Sequence, residues 1–153
     1  MLRVALPDGE EYLLSDLCLD LNGTLAVDGQ PLPGVAELLQ ELAGQLALHL
    51  LTAGTHGGVA AAAARLGLAA VPIGRGEEKA NYVRRLGADG VVAVGNGRND
   101  AAMLRAARLG IAVIGAEGAA VQAVMAADIV VADPIAALLL LSRPQRLVAT
   151  LRS

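Results

Sequence analysis

The stretch Leu19-Asp20-Leu21-Asn22-Gly23-Thr24-Leu25 decides how this chain is read. It closes the apolar run Leu17-Cys18-Leu19, so a carboxylate stands at the end of an apolar strand with an amide and a glycine behind it. Open parallel sheets bind ligands beyond the carboxyl ends of their strands, and a carboxylate there points into the crevice. Taken alone, Asp-x-Asn-Gly is equally an ordinary turn capped by its Asp. The rest of the chain has to choose between the two.

From Asp16 onward, short apolar runs alternate with stretches of helical period, the pattern of a parallel sheet covered by helices. Strands are expected near 16–20, 46–51, 70–73, 91–94, 110–114 and 128–131, and helices near 34–43, 57–66, 77–86, 99–108, 118–126 and 134–141. Gly44, Gly67, Gly87 and Gly110 follow helical stretches, where glycine tolerates a left-handed cap. Upstream, Leu2 to Leu6, Pro7-Asp8-Gly9 and Tyr12 to Leu14 read as a β-hairpin decorating the edge. The expected fold class is α/β: a Rossmann-like three-layer sandwich with a mainly parallel sheet, plus the N-terminal hairpin. A chain of 153 residues suits one domain, 1–153, with the hairpin in 1–15 and a C-terminal helical segment in 134–153.

Composition narrows the partners. The net charge is −3 with acids and bases interspersed, which gives no basic face for nucleic acid and no polybasic segment for anionic lipid. The 55% hydrophobic content comes from small aliphatics, with no Phe or Trp and two Tyr. No run approaches the roughly 20 apolar residues of a membrane span, and the first residues lack the apolar core of a signal peptide. A cytoplasmic location and no membrane partner are expected. Cys18, alone and within an apolar run, reads as a buried structural thiol. The apolar surplus of Ala136 to Leu141, followed by the basic-apolar segment from Pro144 to Leu151, suggests a homo-oligomer through the C-terminal helix. Packing of both segments on their own sheet explains that surplus equally well.

Three further elements follow strands or open helices. Leu50-Leu51-Thr52-Ala53-Gly54-Thr55 sets a hydroxyl and several backbone N–H groups before a helix, an arrangement suited to an anion, although a cap explains the Thr as well. Lys79 stands near a helix N-terminus, where the helix dipole disfavours a cation and another reason for it is needed. Val94-Gly95-Asn96-Gly97-Arg98-Asn99-Asp100 is a glycine-rich loop after a strand, able to reach the crevice of Asp20. His56 and Arg98 are lesser candidates for substrate contact, and Asp28-Gly29 reads as a hairpin turn.

In this order the four elements resemble the four motifs of the haloacid dehalogenase (HAD) superfamily, over residues 16 to about 131. Asp-Leu-Asn-Gly-Thr-Leu-Ala and Gly-Asn-Gly-Arg-Asn-Asp are most similar to the small soluble P-type ATPase-like proteins of that superfamily. The resemblance implies that Asp20 attacks a phosphoryl group to form an aspartyl-phosphate. Phosphate would be held by Thr52, Ala53, Lys79 and Asn99, and magnesium by Asp20, Asn22, Asn96 and Asp100. Asp20, Asn22 and Lys79 form the implied catalytic set. A small phosphorylated metabolite is the implied substrate, and the chain leaves no room for a cap domain.

Two amides depart from the pattern. Asn22 stands where phosphatases of the superfamily carry a general acid/base Asp, and an amide can neither protonate a leaving group nor activate water. Asn96 replaces the usual Asp of the metal loop. Slow magnesium-dependent phosphohydrolase or phosphotransferase chemistry is the leading expectation, and a catalytically impaired phosphate-binding or regulatory domain is the alternative. A detached domain serving a separate membrane protein has likeness alone in its favour.

Overall fold

The computed structural model describes residues 1–54, 57–73 and 75–153. Its centre is a six-stranded sheet in the order β10-β9-β8-β3-β6-β7. The strands are β3 (Asp16–Leu19), β6 (Ala47–Thr52), β7 (Ala70–Pro72), β8 (Val91–Gly95), β9 (Leu109–Val113) and β10 (Ile129–Val131). All five pairings are parallel. The helices are α1 (Val35–Leu42), α2 (Gly57–Arg65), α3 (Gly76–Leu86), α4 (Ala101–Ala106), α5 (Val121–Ala126), α6 (Pro134–Ser142) and α7 (Pro144–Leu151). Two antiparallel hairpins complete the fold: β1 (Leu2–Ala5) with β2 (Glu11–Leu14), and β4 (Ala26–Val27) with β5 (Gln30–Pro31).

The three layers follow from strand alternation. Leu17 and Leu19 of β3 face one core with Leu39, Ala62 and Leu138, while Cys18 faces the other with Val83, Met103 and Ala123. Helices α1, α2 and α6 therefore cover one face and α3, α4 and α5 the opposite one. No cap domain interrupts the layers among the described residues. Among the described residues no helix is long and apolar enough to cross a membrane.

Where structure and sequence pattern differ, local chemistry explains the difference. The stretch expected as a helix over 99–108 opens instead with a 3-10 turn at Arg98–Asp100, and α4 ends at Ala106 so that β9 can begin at Leu109. The helix expected from 118 starts at Val121, because Gly118 adopts φ +77° in a tight turn closed by Gly118 N–H donating to the Gly115 carbonyl at 2.9 Å. Asp28-Gly29 is a hairpin turn, with both residues in the left-handed region (φ 51° and 76°). The N-terminal hairpin is more than an edge decoration. Leu2, Val4, Leu6, Tyr12 and Leu14 are buried in the main core, although the hairpin forms its own sheet.

The C-terminal helix packs within the chain. Ala137, Leu138, Leu140 and Leu141 are buried, with α6 packed against α1 and α7. Much of the apolar surplus of α6 thus closes the chain's own core. Its start is fixed by Asp133, whose carboxylate accepts the Ala136 N–H at 2.7 Å, and by Pro134 in the first turn.

A polar clasp ties α3 to the sheet. His49 of β6 lies between Asp16 of β3 (Nε2 to Oδ1, 2.8 Å) and the Tyr82 hydroxyl of α3 (Nδ1, 3.0 Å). Tyr82 is three residues beyond Lys79, on the same face of the helix. The clasp therefore fixes the rotation of the helix that carries Lys79.

Cys18 is fully buried, and desolvation, aided by the Asp16 charge, pushes its thiol up to about 12. Since the thiolate is the reactive form, native protein at pH 8 is expected to resist a thiol reagent that labels it stoichiometrically once unfolded in guanidinium. Rapid labelling of the folded chain, read by intact mass, would contradict this packing.

Candidate active site

The Asp20 loop is shaped by backbone hydrogen bonds at the end of β3. Asp20 N–H donates to Val94 O at 3.0 Å, extending the ladder with β8 by one residue. The chain then turns: the N–H groups of Thr24, Leu25 and Ala26 all point to the Leu21 carbonyl, at 3.2, 2.9 and 3.0 Å. Gly23, at φ +78°, makes this turn possible. The turn carries Thr24 back over Asp20, and its Oγ1 donates to Asp20 Oδ2 at 3.0 Å. Asp20 and Thr24 are both buried.

Lys79 is the hub of the site. Its Nζ donates to Asp20 Oδ1 at 2.9 Å and to Asp100 Oδ1 at 2.7 Å, and the side chain is fully buried. The reason for a cation near a helix start is now visible: two carboxylates offset the unfavourable dipole. Asp100 is fully buried too, and its second oxygen accepts the N–H groups of Asn96 (3.0 Å) and Gly97 (2.9 Å). Gly95 makes room for it, since a Cβ there would lie 2.6 Å from Asp100 Cγ. The α3 start and the Gly95–Asp100 turn touch through backbone, because a Cβ on Gly76 would meet Asn99 O at 2.8 Å.

The electrostatics follow from this burial. Desolvation, then the Asp100 charge, raises Asp20 from 3.8 to about 6, against the lowering effects of Lys79 and the Thr24 hydrogen bond. Desolvation works to lower Lys79, but the combined pull of Asp20 and Asp100 leaves it above its ordinary value. The ammonium is thus held charged between the two acids.

The register Leu19↔Leu50 and Leu19↔Val94 places Thr52 and the Gly95–Asp100 loop at the same sheet edge as Asp20. Thr52 is buried, and its Oγ1 accepts the Gly54 N–H at 3.2 Å. Ala53 is exposed beside it. Asn22 is exposed at the mouth, and among the described residues nothing holds its side chain. Asn99 and Arg98 are exposed on the 3-10 turn, the Asn99 amide folding back over Gly97, where a Cβ would be 2.6 Å from its Oδ1. His56 and Thr55 lie outside the described residues.

Asn96 sits beside both acids through its backbone N–H on Asp100 and through the Thr24 hydroxyl it shares with Asp20. Its Oδ1 accepts from Thr24 Oγ1 at 3.0 Å, and its Nδ2 donates to Gly118 O at 3.0 Å. Sequence reasoning also left Thr24, Gly118 and Glu117 without roles. Thr24 lay within the quoted motif, but hydrogen bonds to Asn96 and from the turn near Gly118 join positions far apart in the chain. A separate groove of about 480 Å³ between α1 and α2, lined by Leu39, Leu48, Arg65 and Leu68 among others, shares no residue with this cluster and carries no catalytic set.

Magnesium is the ion the family pattern implies. Among the described residues there is no group of three or more His, Cys, Asp or Glu side chains that would form a full protein cage. The donor chemistry nonetheless fits a hard cation: two carboxylates face one Nζ at 2.9 and 2.7 Å, and magnesium typically takes one or two carboxylates with water and substrate phosphate completing its shell.

An aspartate beyond a central strand, a lysine bridging it to a second aspartate, and a threonine at the neighbouring strand end thus meet at the carboxyl edge of a doubly wound parallel sheet, where such folds hold their ligands. Residues 3–108 match the family model for haloacid dehalogenase-like hydrolases, and the chain belongs to that family. An uncharacterized protein of Methanocaldococcus jannaschii, MJ0073, is 50% identical over 62 residues, covering 40% of this chain and 67% of that protein. Among solved structures, the fold is similar to 3-deoxy-D-manno-octulosonate 8-phosphate phosphatase from Moraxella catarrhalis, crystallised with magnesium, phosphate and KDO. That likeness has a TM-score of 0.72 and 16% identity, and covers 90% of this chain and 91% of the other. It is also similar to the catalytic domain of the CPx-ATPase CopB-B, at TM-score 0.59 and 24% identity over 73% of this chain and 44% of that one.

Proposed function

We propose that the protein is a slow phosphohydrolase or phosphotransferase that works through Asp20 on a small phosphorylated metabolite. The observation that carries this reading is the buried Asp20–Lys79–Asp100 cluster at the carboxyl edge of the sheet, with 2.9 and 2.7 Å contacts to one ammonium. In the first step an Asp20 carboxylate oxygen attacks phosphorus, the bond from phosphorus to the leaving oxygen breaks, and that oxygen takes the electron pair and a proton from solvent. In the second step water attacks the aspartyl-phosphate, releasing phosphate and restoring the carboxylate, with the water's proton passing to solvent.

Each side chain has a part. Lys79 holds Asp20 in place and balances negative charge on the entering phosphoryl group. Thr52 and the backbone N–H of Ala53 line the strand end where phosphoryl oxygens would rest, with Asn99 at the rim. Asp20, the Asn22 carbonyl and Asp100 would hold magnesium, which when bound supplies charge neutralisation between carboxylate and phosphate. The exposed Asn22 reaches the leaving-group side but has no proton to give. This amide favours the second reading, a domain that binds phosphate without turning it over. Two neighbours support a phosphorylated substrate by fold alone, and the lone buried thiol suits a reducing compartment such as the cytosol.

The test is incubation with acetyl phosphate or p-nitrophenyl phosphate, with and without magnesium, followed by intact mass after acid quench. A one-phosphoryl adduct is expected that needs magnesium and disappears in Asp20→Asn. Absence of both adduct and turnover would move the assignment to a phosphate-binding domain.

A further inference from the structure

We infer that Asn96 is a positioning residue: its amide, acceptor to Thr24 and donor to Gly118, fixes the nucleophile loop against the Gly115–Gly118 turn, a task an acid cannot perform. The inference rests on reading Asp20 as the nucleophile. Asn96 makes four hydrogen bonds. Its N–H donates to Asp100 Oδ2 at 3.0 Å and its carbonyl accepts from Ala120 N at 2.8 Å. Its Oδ1 accepts from Thr24 Oγ1 at 3.0 Å and its Nδ2 donates to Gly118 O at 3.0 Å.

The orientation of the amide is forced. Gly118 O can only accept, so the atom facing it has to be a donor, which leaves Oδ1 for the Thr24 hydroxyl. That hydroxyl has one proton and lies 3.0 Å from both Asn96 Oδ1 and Asp20 Oδ2, so the amide oxygen sets where the proton sits relative to the nucleophile. The surroundings are built for the amide as well. A Cβ on Gly23 would fall 2.4 Å from Asn96 Nδ2, so glycine is required for the approach. A Cβ on Gly115 would lie 3.7 Å from Gly23 O, an ordinary van der Waals distance, so the turn runs alongside the Asp20 loop.

The turn then reaches outward. Glu117 accepts the Asp28 N–H at 3.2 Å, tying the tip of the β4–β5 hairpin to the same unit. One path of hydrogen bonds and chain therefore runs from Asp20 through Thr24, Asn96 and the Gly115–Gly118 turn to the hairpin. Aspartate in place of Asn96 has the same shape but turns an oxygen toward Gly118 O and adds charge beside Asp20. The amide is thereby more than a lost metal ligand.

The experiment compares Asn96→Asp, Asn96→Ala, Thr24→Val and the Thr24→Val/Asn96→Ala double variant with the unaltered full chain. For Asn96→Asp without metal, the melting temperature is expected to fall by roughly 3–10 °C, with faster amide exchange across 115–120. Calorimetry should show magnesium bound no more tightly than by the unaltered chain. The rate of adduct formation from acetyl phosphate should drop roughly 10–100-fold with little change in KM, and the effects of Thr24→Val and Asn96→Ala on that rate should not add. Tighter magnesium binding by Asn96→Asp with native exchange at 115–120, or additive rate effects, would overturn the inference. If the unaltered chain forms no adduct, the phosphotransfer reading fails, while melting, exchange and magnesium binding still decide whether Asn96 is a tether.

Discussion

Replacing Asn22 by Asp is expected to accelerate phosphate release by roughly 10²–10⁴-fold, the range over which a positioned general acid/base acts. In free energy this is about 3–5 kcal/mol off the barrier. The geometry permits the gain because Asn22 is exposed at the mouth of the site and no described residue restrains its side chain, so an isosteric carboxyl enters without repacking. It would give a proton to the leaving oxygen and later take one from water. Steady-state release from p-nitrophenyl phosphate measures the sum of both steps, and burst kinetics separate them. An unchanged rate in a folded Asn22→Asp protein would mean that the proton is not limiting. The site would then be short of something other than an acid.

Lys79→Met is expected to lower stability at pH 7 by about 3–5 kcal/mol, because it leaves two buried carboxylates facing one another with no cation between them. For a chain of this length that is a fall in melting temperature of roughly 6–20 °C. The pH dependence identifies the cause. Asp20 already sits at about 6 in the native state against an ordinary 3.8, and losing the Lys79 charge raises it further. A carboxyl raised by folding contributes stability that is full below the unfolded value and is lost as pH rises through the folded one. The deficit of Lys79→Met should therefore be small near pH 4 and grow as pH rises through about 6 and beyond. Lys79 itself, raised by its two partners, gives the unaltered chain stability that is present below 10.5 and lost as pH rises beyond it. Melting curves at several pH values test both limbs. A deficit independent of pH would point to lost packing of the lysine stem instead.

The central strands β3, β8 and β9 were legible in the sequence because they are buried on both faces and read as continuous apolar chain between glycines and charges. The four chemical elements were legible for a related reason, since each sits immediately after a strand or at a helix start. What escaped was long-range. Nothing in Leu2 to Leu14 says that its inner face joins the main core, and the apolar surplus of α6 reads the same whether it meets a second subunit or the neighbouring helices α1 and α7. The contact of Asn96 with Gly118 spans 22 residues, and that of Asp28 with Glu117 spans 89. Spacing along a chain carries no information about such pairs. Lys79 was the intermediate case: its position at a helix start signalled an unmet electrostatic need, and only the coordinates named the two carboxylates that meet it.

The strand order also sets a timetable. β3, which leads into Asp20, is the third strand made, yet it lies between β6 and β8, so one of its hydrogen-bonding edges stays open until Ala47–Thr52 has been synthesised and the other until Val91–Gly95. Its partners are distant in sequence, and such non-local pairing forms slowly. On the ribosome, the strand leading into Asp20 would stay unfinished until Val91–Gly95 emerges, and Lys79 would be waiting for Asp100. The Asp20–Lys79–Asp100 cluster therefore cannot assemble before the growing chain has passed residue 100.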